Sequence, residues 1–362
     1  MLSVFHQKFY LFRPTTKHES AYAPYGFPRA APTMRNRNVE GKPMRLVTRS
    51  DFDGLICAVL LKQVEAIDSI QFVHPKDLQD GKFTVTEDDV LTNVPYVPGC
   101  GLWFDHHTTE VERVVGKISF RGGDCRVAPS AARVVYDYYG GAARFPGIEE
   151  MMREVDKADS AQFSADDILH PQGWPLLSFI MDARTGLGRY RDYRISNYQL
   201  MHDLIDACQT MTIGEILALP DVRERVVRYT EQDVLFRRLL ADHSWVEGNV
   251  VISDLRDIEM IPCGNRFLVY ATYPEANTSI WIVNGFQNQN CVFACGHSIL
   301  NKTSHTHVGA LMRRHGGGGH EAAGTCQVPH DEAEATLKAL VSAMNLDEAR
   351  NTRGVVELAG AA

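Results

Sequence analysis

The stretch RLVTRSDFDG, residues 45–54, decides the fold of this chain. Its apolar start is typical of a buried β-strand, and the helix-like run Leu55–Val64 follows directly. This order places Asp51 and Asp53 at the carboxyl end of a strand, the edge of an open α/β sheet where ligands bind. In a purely structural alternative, Asp53 is the N-cap of the helix and Asp51 a turn residue. Further polar residues at the ends of other strands favour the binding site.

A second strand has a similar ending. Leu102–Phe104 is apolar, and Asp105, His106 and His107 follow it at once. Packing does not explain two adjacent histidines after an aspartate, so we expect a metal site here. Carboxylates suit Mg²⁺ and Mn²⁺, and Mn²⁺ accepts imidazole as well. The residue types therefore indicate manganese rather than zinc.

A third acidic segment, VDKADS at residues 155–160, closes a helical run. Asp159 is the preferred additional ligand, and Asp156 is held in reserve. Three such motifs in order, two of them at strand ends, are more specific than any one of them.

The apolar pattern from residue 45 onwards alternates short strand-like runs with longer helical ones. It predicts an α/β protein with an N-terminal domain on a mainly parallel sheet, a long linking helix and a smaller C-terminal α+β domain. The predicted bounds are 45–218 for the N-terminal domain, 219–245 for the linking helix, 248–345 for the C-terminal domain and 346–362 for a loose tail. Strands are expected at 46–48, 70–73, 102–104, 250–253, 267–272, 280–283, 291–295 and 325–328, and helices at 55–64, 130–139, 146–157, 221–243, 306–314 and 332–344.

Residues 1–43 precede this pattern and lack apolar periodicity. They contain five prolines, and seven Lys or Arg against two Glu. We expect either a disordered extension or a true start at Met44, with a basic organelle-targeting segment as a further alternative.

The composition of the whole chain narrows the class of protein. Its 362 residues, 44% of them hydrophobic, suffice for two domains. Because no run reaches the roughly 18 apolar residues of a membrane span and none resembles a secretory signal, we expect a cytoplasmic protein without a membrane partner. The eight cysteines are scattered, which argues against a disulfide framework. The net charge of −8 disfavours binding to long duplex nucleic acid.

A window without acidic residues lies in the C-terminal half, between Glu275 and Glu321. It contains Lys302, Arg313, Arg314 and five of the fourteen histidines, and it ends in GGGGH at residues 316–320. Consecutive glycines allow backbone N–H groups to converge on an anion. The window therefore predicts a phosphate-binding loop, with a merely flexible loop as the alternative.

Together, the Asp-x-Asp-Gly motif after strand one, the later Asp-His-His and the distal GGGGHEAAG resemble the DHH phosphoesterase superfamily and its DHH-associated C-terminal domain. The resemblance covers about residues 45–345. Members include RecJ-type exonucleases, nano-RNases, cyclic-dinucleotide phosphodiesterases and exopolyphosphatase-like proteins. The resemblance implies metal-assisted attack of water on phosphorus in a cleft between two domains, with Mn²⁺ or Mg²⁺ as one or two ions per chain.

The resemblance also implies roles for individual residues. Asp51 and Asp53 would bind one metal each, and His106 and Asp159 would complete the site of Asp53. Asp105 would support the metal ligands, and His107 would face the substrate phosphate. In the C-terminal domain the far end of the substrate would be held by Gly317, Gly318, Gly319 and His320, helped by Ser298, His297, Asn301 and Arg314.

Two departures from the family pattern fall on the first metal position. Arg49 and Ser50 stand where many members have a histidine, and Asn93 stands where a bridging aspartate is usual. We therefore hypothesise that one metal is held tightly and that Arg49 clamps the phosphate. The rival hypothesis restores a two-metal site through Asp77, Asp80 or Asp156.

The sequence thus predicts a metal-dependent phosphoesterase that cleaves terminal phosphodiester or phosphoanhydride bonds. The leading substrate is a short oligonucleotide or a cyclic dinucleotide, and inorganic polyphosphate is the alternative. A non-catalytic nucleotide sensor with a degraded metal site is a third hypothesis, because the first metal position is altered.

Overall fold

The computed structural model describes residues 41–359, and from residue 348 onwards it describes the backbone alone. The predicted extension at 1–43 therefore lies almost wholly outside the described residues. The chain forms two compact units that divide after Met152. The domain bounds expected from the sequence stay a prediction, and each unit is described here by itself.

The first unit is built on a parallel sheet, as expected. Its strand order is β2-β1-β3-β4-β5, and all four neighbouring pairs are parallel. Within residues 41–159 the elements are β1 (Met44–Thr48), α1 (Phe52–Val64), β2 (Ile67–Phe72), α2 (Pro75–Gln79), β3 (Asp89–Thr92), β4 (Leu102–Asp105), α3 (Thr108–Val114), β5 (Gly123–Cys125), α4 (Ala131–Tyr138) and, across the division, α5 (Glu149–Asp159).

Helix α1 is enclosed by the first unit, since every residue from Phe52 to Leu61 is buried. Its start lies against the end of β1, where a Cβ on Gly54 would meet the Arg49 carbonyl oxygen at 2.0 Å. The glycine of the Asp-x-Asp-Gly motif is therefore required by close packing of strand and helix. A hydrophobic core cluster of the first unit includes Val47, Leu91 and Trp103.

The second unit begins with a helical region and ends in a six-stranded sheet. Up to residue 359 its further elements are α6 (Ala165–Leu169), α7 (Gly173–Met181), α8 (Asn197–Thr210), α9 (Ile213–Ala218), α10 (Pro220–His243), β6 (Ser244–Glu247), β7 (Val250–Asp254), α11 (Leu268–Thr272), β8 (Thr278–Asn284), β9 (Cys291–His297), α12 (Val308–Arg313), β10 (Gly318–His320), β11 (Ala323–Val328) and α13 (Ala333–Ala359). The long helix expected at 221–243 is confirmed as α10.

The turn after α7 is held by an ion pair between Asp182 and Arg184. The Arg184 guanidinium Nε donates to Asp182 Oδ1 at 2.7 Å. Burial raises the pKa of Asp182, but the charge and hydrogen bonds of Arg184 outweigh it and lower that pKa to about 2. Asp182 is therefore ionised at neutral pH and fixes the turn.

The C-terminal sheet has the order β10-β11-β9-β8-β7-β6 and is antiparallel except between β7 and β8. The expectation of a strand at 267–272 is wrong, because Leu268–Thr272 is helix α11. Parallel neighbours need a crossover connection, and α11 lies in the connection from β7 to β8. A short apolar run cannot by itself distinguish a strand from a buried helix.

Four short strands were not expected from the sequence: β3, β5, β6 and β10. The last helix was expected to end at Met344, yet α13 continues to Ala359. Residues 345–359 contain no proline, and Leu346, Glu348, Ala349 and Arg350 are good helix formers. The backbone up to residue 359 is therefore helical where a loose tail was expected.

Candidate functional site

The polar motifs of the first unit meet at one edge of its sheet. Strands β1, β3 and β4 are parallel neighbours, with Thr48 opposite Thr92 and Thr92 opposite Phe104. The chain leaves these strands at Arg49, Asn93 and His106, and Asp105 is the last residue of β4. The three segments that the sequence singled out therefore lie side by side at the carboxyl edge.

Asp53 is anchored to the amino end of helix α4. Its Oδ2 accepts a hydrogen bond from Ala131 N at 2.9 Å, and its Oδ1 accepts one from Ala132 N at 2.8 Å. Its side chain is fully buried, and the partial positive charge of a helix N-terminus favours a carboxylate there. These two amides could not be predicted from the sequence, in which the helix cap Ser130 is their only local signal.

His106 is turned towards Asp53. Its Nδ1 lies 3.1 Å from the Ala128 carbonyl oxygen, which accepts a hydrogen bond only if Nδ1 carries the proton. The lone pair is then on Nε2, which lies 3.9 Å from Asp53 Oδ2. Two ligand atoms that share a small divalent ion at roughly 2.1 Å each lie at most about 4.2 Å apart. The pair fits such an ion, and the backbone carbonyl orients the ring as metal-binding histidines require.

Asp105 forms hydrogen bonds with both histidines. Its side chain is fully buried, and Oδ1 accepts hydrogen bonds from His106 N at 2.9 Å and from His107 Nδ1 at 2.8 Å. Asp105 Oδ2 is also buried and has no hydrogen-bond partner among the residues that the structure describes. Because an unsatisfied buried oxygen is costly, it fits a site completed by an ion or water. Asp105, His106 and His107 also form a candidate metal-holding group, with ligand atoms within 4.8 Å.

The carboxylate of Asp51 has other hydrogen-bond partners than that of Asp53. It is the N-cap of α1, because its Oδ1 accepts from Gly54 N at 3.0 Å. The same oxygen accepts from Asn93 Nδ2 at 2.9 Å, and Oδ2 lies 2.9 Å from Arg49 Nε. The cap is therefore Asp51 rather than Asp53, contrary to the structural alternative from the sequence. Two oxygens of one carboxylate already serve three donors.

The aspartates proposed to restore a second metal site have other contacts. Asp80 bonds to Lys76 at 2.6 Å and lies 3.1 Å from Lys82, and Asp77 lies 3.2 Å from Lys82. Asp156 and Asp159 belong to α5 beyond the division of the chain. Their roles as ligands stay predictions.

The second half of the glycine run in the second unit belongs to an edge strand and not to a flexible loop. Gly318, Gly319 and His320 form β10 and pair with β11. Gly319 has φ 150°, and a Cβ there would lie 2.2 Å from the Ala323 carbonyl oxygen. A Cβ on Gly317 would lie 2.0 Å from the Thr325 carbonyl oxygen. These two glycines are required by the hairpin itself, whatever they bind.

Several predicted substrate-binding residues share one end of this sheet. His320 lies opposite Ala323, which lies opposite Gly296, and His297 and Ser298 come next in the chain. Ser298 Oγ accepts from the backbone of Leu300 and Asn301, at 3.2 and 3.0 Å.

The other predicted residues, His297, Asn301 and Arg314, differ in their contacts. His297 Nε2 contacts the Thr306 carbonyl oxygen at 2.7 Å. Asn301 Nδ2 donates to the Glu275 carbonyl oxygen at 3.2 Å. Arg314 is exposed at the carboxyl end of α12. Ser298 and Asn301 thus shape the turn after β9, while His320 and Arg314 are exposed.

One solved structure is similar to this chain in both sequence and fold. The chain is 52% identical to the pGpG-specific phosphodiesterase PggH from Vibrio cholerae, with a TM-score of 0.76, over 84% of this chain and 99% of that one. The DHH domain of a member of the S1p family of ribosomal proteins is 12% identical, with a TM-score of 0.51, over 84% and 87% of the two chains. This second likeness concerns the fold alone.

Two other searches returned nothing: no family model and no curated protein matches the chain. In the part of the chain that the structure describes, no helix is both long and apolar enough to cross a membrane.

Proposed function

This chain belongs to the DHH phosphoesterase superfamily, and from that premise we propose that it is a divalent-metal-dependent phosphodiesterase whose substrate is a short linear dinucleotide of the pGpG type. The relative with 52% identity is described as specific for pGpG. Identity at this level over nearly all of the relative supports a shared substrate class. A cytoplasmic location is part of the same proposal.

The arrangement of Asp53 and His106 carries the proposal. A buried carboxylate lies 3.9 Å from an imidazole nitrogen whose tautomer is set by a backbone carbonyl. We propose that these two residues, with Asp159 from the sequence motif, bind Mn²⁺ or Mg²⁺. When bound, such an ion lowers the pKa of water and stabilises negative charge on a phosphoryl group.

His107 is proposed to contact the phosphoryl group of the substrate. Its Nδ1 is held by the buried Asp105 at 2.8 Å, and its side chain is 42% exposed. The carboxylate accepts a hydrogen bond from the protonated Nδ1 and so fixes the ring, and an Nε2 that carries a proton donates to a phosphoryl oxygen. Such a donor stabilises the charge that develops during phosphoryl transfer.

The proposed phosphodiesterase activity is tested by hydrolysis of a panel of phosphate-containing substrates. Purified full-length protein with Mn²⁺ is incubated with pGpG, cyclic dinucleotides, bisphosphorylated adenosine and polyphosphate, and the products are separated. We expect pGpG to be hydrolysed and the other substrates to react more slowly. Preferred cleavage of polyphosphate would instead support an exopolyphosphatase. No turnover of any substrate by metal-loaded protein would support a nucleotide sensor.

The choice of inactive variant matters, because Asp53 also holds the start of α4. The Asp53→Asn substitution places an amide donor against backbone N–H groups and is expected to lower stability as well as metal binding. His106→Gln is the cleaner variant, and we expect it to abolish turnover in the folded protein. His170→Gln, at an exposed histidine that ends α6, is the matched control and is expected to retain full activity.

A further inference from the structure

The turn that joins β10 to β11 carries a carboxylate in an otherwise basic stretch of the chain. Glu321 is the only acidic residue between Glu275 and Asp331, a stretch that also contains three Lys or Arg and six histidines. Its side chain is exposed, and it has no hydrogen bond or ion pair among residues 41–347. Because the carboxylate neutralises none of these bases, its two oxygens are available to a ligand.

The backbone of this turn is fixed on both sides. The Glu321 carbonyl oxygen accepts a hydrogen bond from Val308 N at 2.8 Å, and the Ala322 carbonyl oxygen accepts one from His297 N at 2.9 Å. Helix α12 packs directly on β10, since a Cβ on Gly309 would lie 2.3 Å from a carbonyl oxygen of that strand. The turn is therefore held between α12 and β9, and rigid elements determine where the Glu321 side chain begins.

A second hydrogen-bond acceptor lies beside the turn. His297 Nε2 is 2.7 Å from the Thr306 carbonyl oxygen, and a carbonyl only accepts, so Nε2 carries the proton. In the neutral ring the lone pair is then on Nδ1, which has no partner among the described side chains and backbone groups. Two acceptors at one end of the sheet suit a ligand that presents hydrogen-bond donors, rather than a phosphate alone.

Guanine is the base whose edge matches such a carboxylate. Its N1–H and N2–H donors are adjacent and parallel, so both can bond to the two oxygens of one carboxylate. Adenine has an acceptor at N1 and cytosine has one at N3, and a carboxylate repels both. Uracil has a single donor between two carbonyl oxygens. A carboxylate therefore selects guanine among the four bases.

We propose that Glu321 is a specificity-determining residue that binds the Watson–Crick edge of one guanine of the substrate. This inference rests on the proposed function, because a substrate of the pGpG type differs from other dinucleotides in its bases. Base recognition is thus added to the phosphate binding that the sequence predicts for this hairpin.

The test is the binding of dinucleotides in which inosine replaces guanosine, since inosine lacks only the N2 amino group. Dissociation constants of pGpG, pGpI and pIpG are measured by calorimetry with full-length protein in EDTA, which removes the metal needed for turnover. In the native chain we expect inosine at the position bound by Glu321 to weaken binding about tenfold, as for loss of one charged hydrogen bond. In Glu321→Gln we expect pGpG to bind about tenfold more weakly or worse, and the inosine penalty at that position to disappear.

Two further variants show whether the carboxylate itself is responsible. Glu321→Asp keeps the charge on a shorter side chain, and its affinity for pGpG should lie between those of the native chain and Glu321→Gln. Glu332→Gln, at an exposed glutamate beyond the opposite end of β11, is the matched control and should bind all three ligands like the native chain. The unfolding midpoint of each variant in urea shows that it remains folded.

An inosine penalty that is the same in Glu321→Gln and in the native chain would overturn the proposal, as would a native chain that does not bind pGpG. Ribose hydroxyls are the other donors that a carboxylate could bind, and the 2′-deoxy form of pGpG tests them. If Glu321→Gln loses the preference for pGpG over this deoxy form but keeps the inosine penalty, Glu321 binds ribose and the guanine assignment is wrong.

These binding measurements do not depend on turnover. A chain that hydrolyses pGpG yet keeps its inosine penalty in Glu321→Gln would contradict only the guanine inference. A chain that binds guanine through Glu321 but hydrolyses nothing when loaded with metal would contradict only the proposed function.

Discussion

At the scale of single residues, the site depends on what each carboxylate already contacts. Asp51, Asp53 and Asp105 are all aspartates near strand ends, but they differ in their partners. Asp51 contacts an arginine, Asp53 contacts two backbone amides, and Asp105 contacts His107 and the backbone of His106. The same residue type therefore serves as a cap, as a proposed ligand and as a positioning residue.

The role of Asp105 gives a prediction at this scale. Asp105→Asn keeps the shape of the side chain but removes the charge that orients His107. We expect kcat to fall about a hundredfold, as for loss of a hydrogen-bond donor to the charge that develops on the phosphoryl group, and KM to change little. His107→Gln should have a similar effect.

The double variant distinguishes a joint role from two separate ones. If Asp105 acts through His107, combining the substitutions lowers kcat no further than either one alone. Additive losses would show that Asp105 acts on another group, such as the metal site. The unfolding midpoint of each variant shows whether the buried change has disturbed the fold.

At the scale of elements, the glycine hairpin of β10 and β11 combines a structural need with an open edge. Gly319 requires the absence of a side chain, because a Cβ would lie 2.2 Å from a backbone oxygen. Gly318, in the same strand, has nothing within 4 Å of that position. Neighbouring glycines in one motif therefore have different reasons to be glycine.

This difference can be measured by unfolding in urea. Gly319→Ala is expected to lower the free energy of unfolding by about 1–3 kcal/mol, through backbone strain and the close contact. Gly318→Ala is expected to change it by less than about 0.5 kcal/mol. Equal losses for both variants would mean that the hairpin is not held in this register.

Element prediction succeeded where periodicity and flanking residues agreed. The strand before Asp51, the strand before Asp105 and helix α10 lie where the sequence places them. It failed for 267–272, where an apolar run fits either a strand or a buried helix. It also missed β3 and β5, short strands defined by their neighbours in the sheet.

At the scale of the whole molecule, the net charge of −8 opposes an anionic substrate, whereas the window at 276–320 has no acidic residue. Lys302, Arg313 and Arg314 in this window are exposed, and none of them pairs with a carboxylate among the described residues. The two effects predict opposite responses to salt. General repulsion would make KM fall as salt rises, and local attraction would make it rise.

We expect KM for pGpG to rise about two- to threefold between about 0.05 and 0.5 M salt, because the local attraction is screened. Arg314→Gln should raise KM at low salt and flatten this dependence. Arg238→Gln, at an exposed arginine of α10 beside Asp242, is the matched control and should behave like the native chain. A KM that falls with salt would show that net charge dominates.

The sequence alone determined the fold class, the parallel sheet of the first unit and the family, because alternating apolar runs and short strand-end motifs are local patterns. It also identified Asp53, Asp105, His106 and His107 as a group, since the ends of neighbouring parallel strands meet at one edge. Only the tertiary structure decided how the carboxylates differ. Asp53 is held by amides 78 and 79 residues away, and Asp51 by Asn93, 42 residues away. Hydrogen bonds between such distant residues leave no periodic trace in the chain, so only folding reveals them.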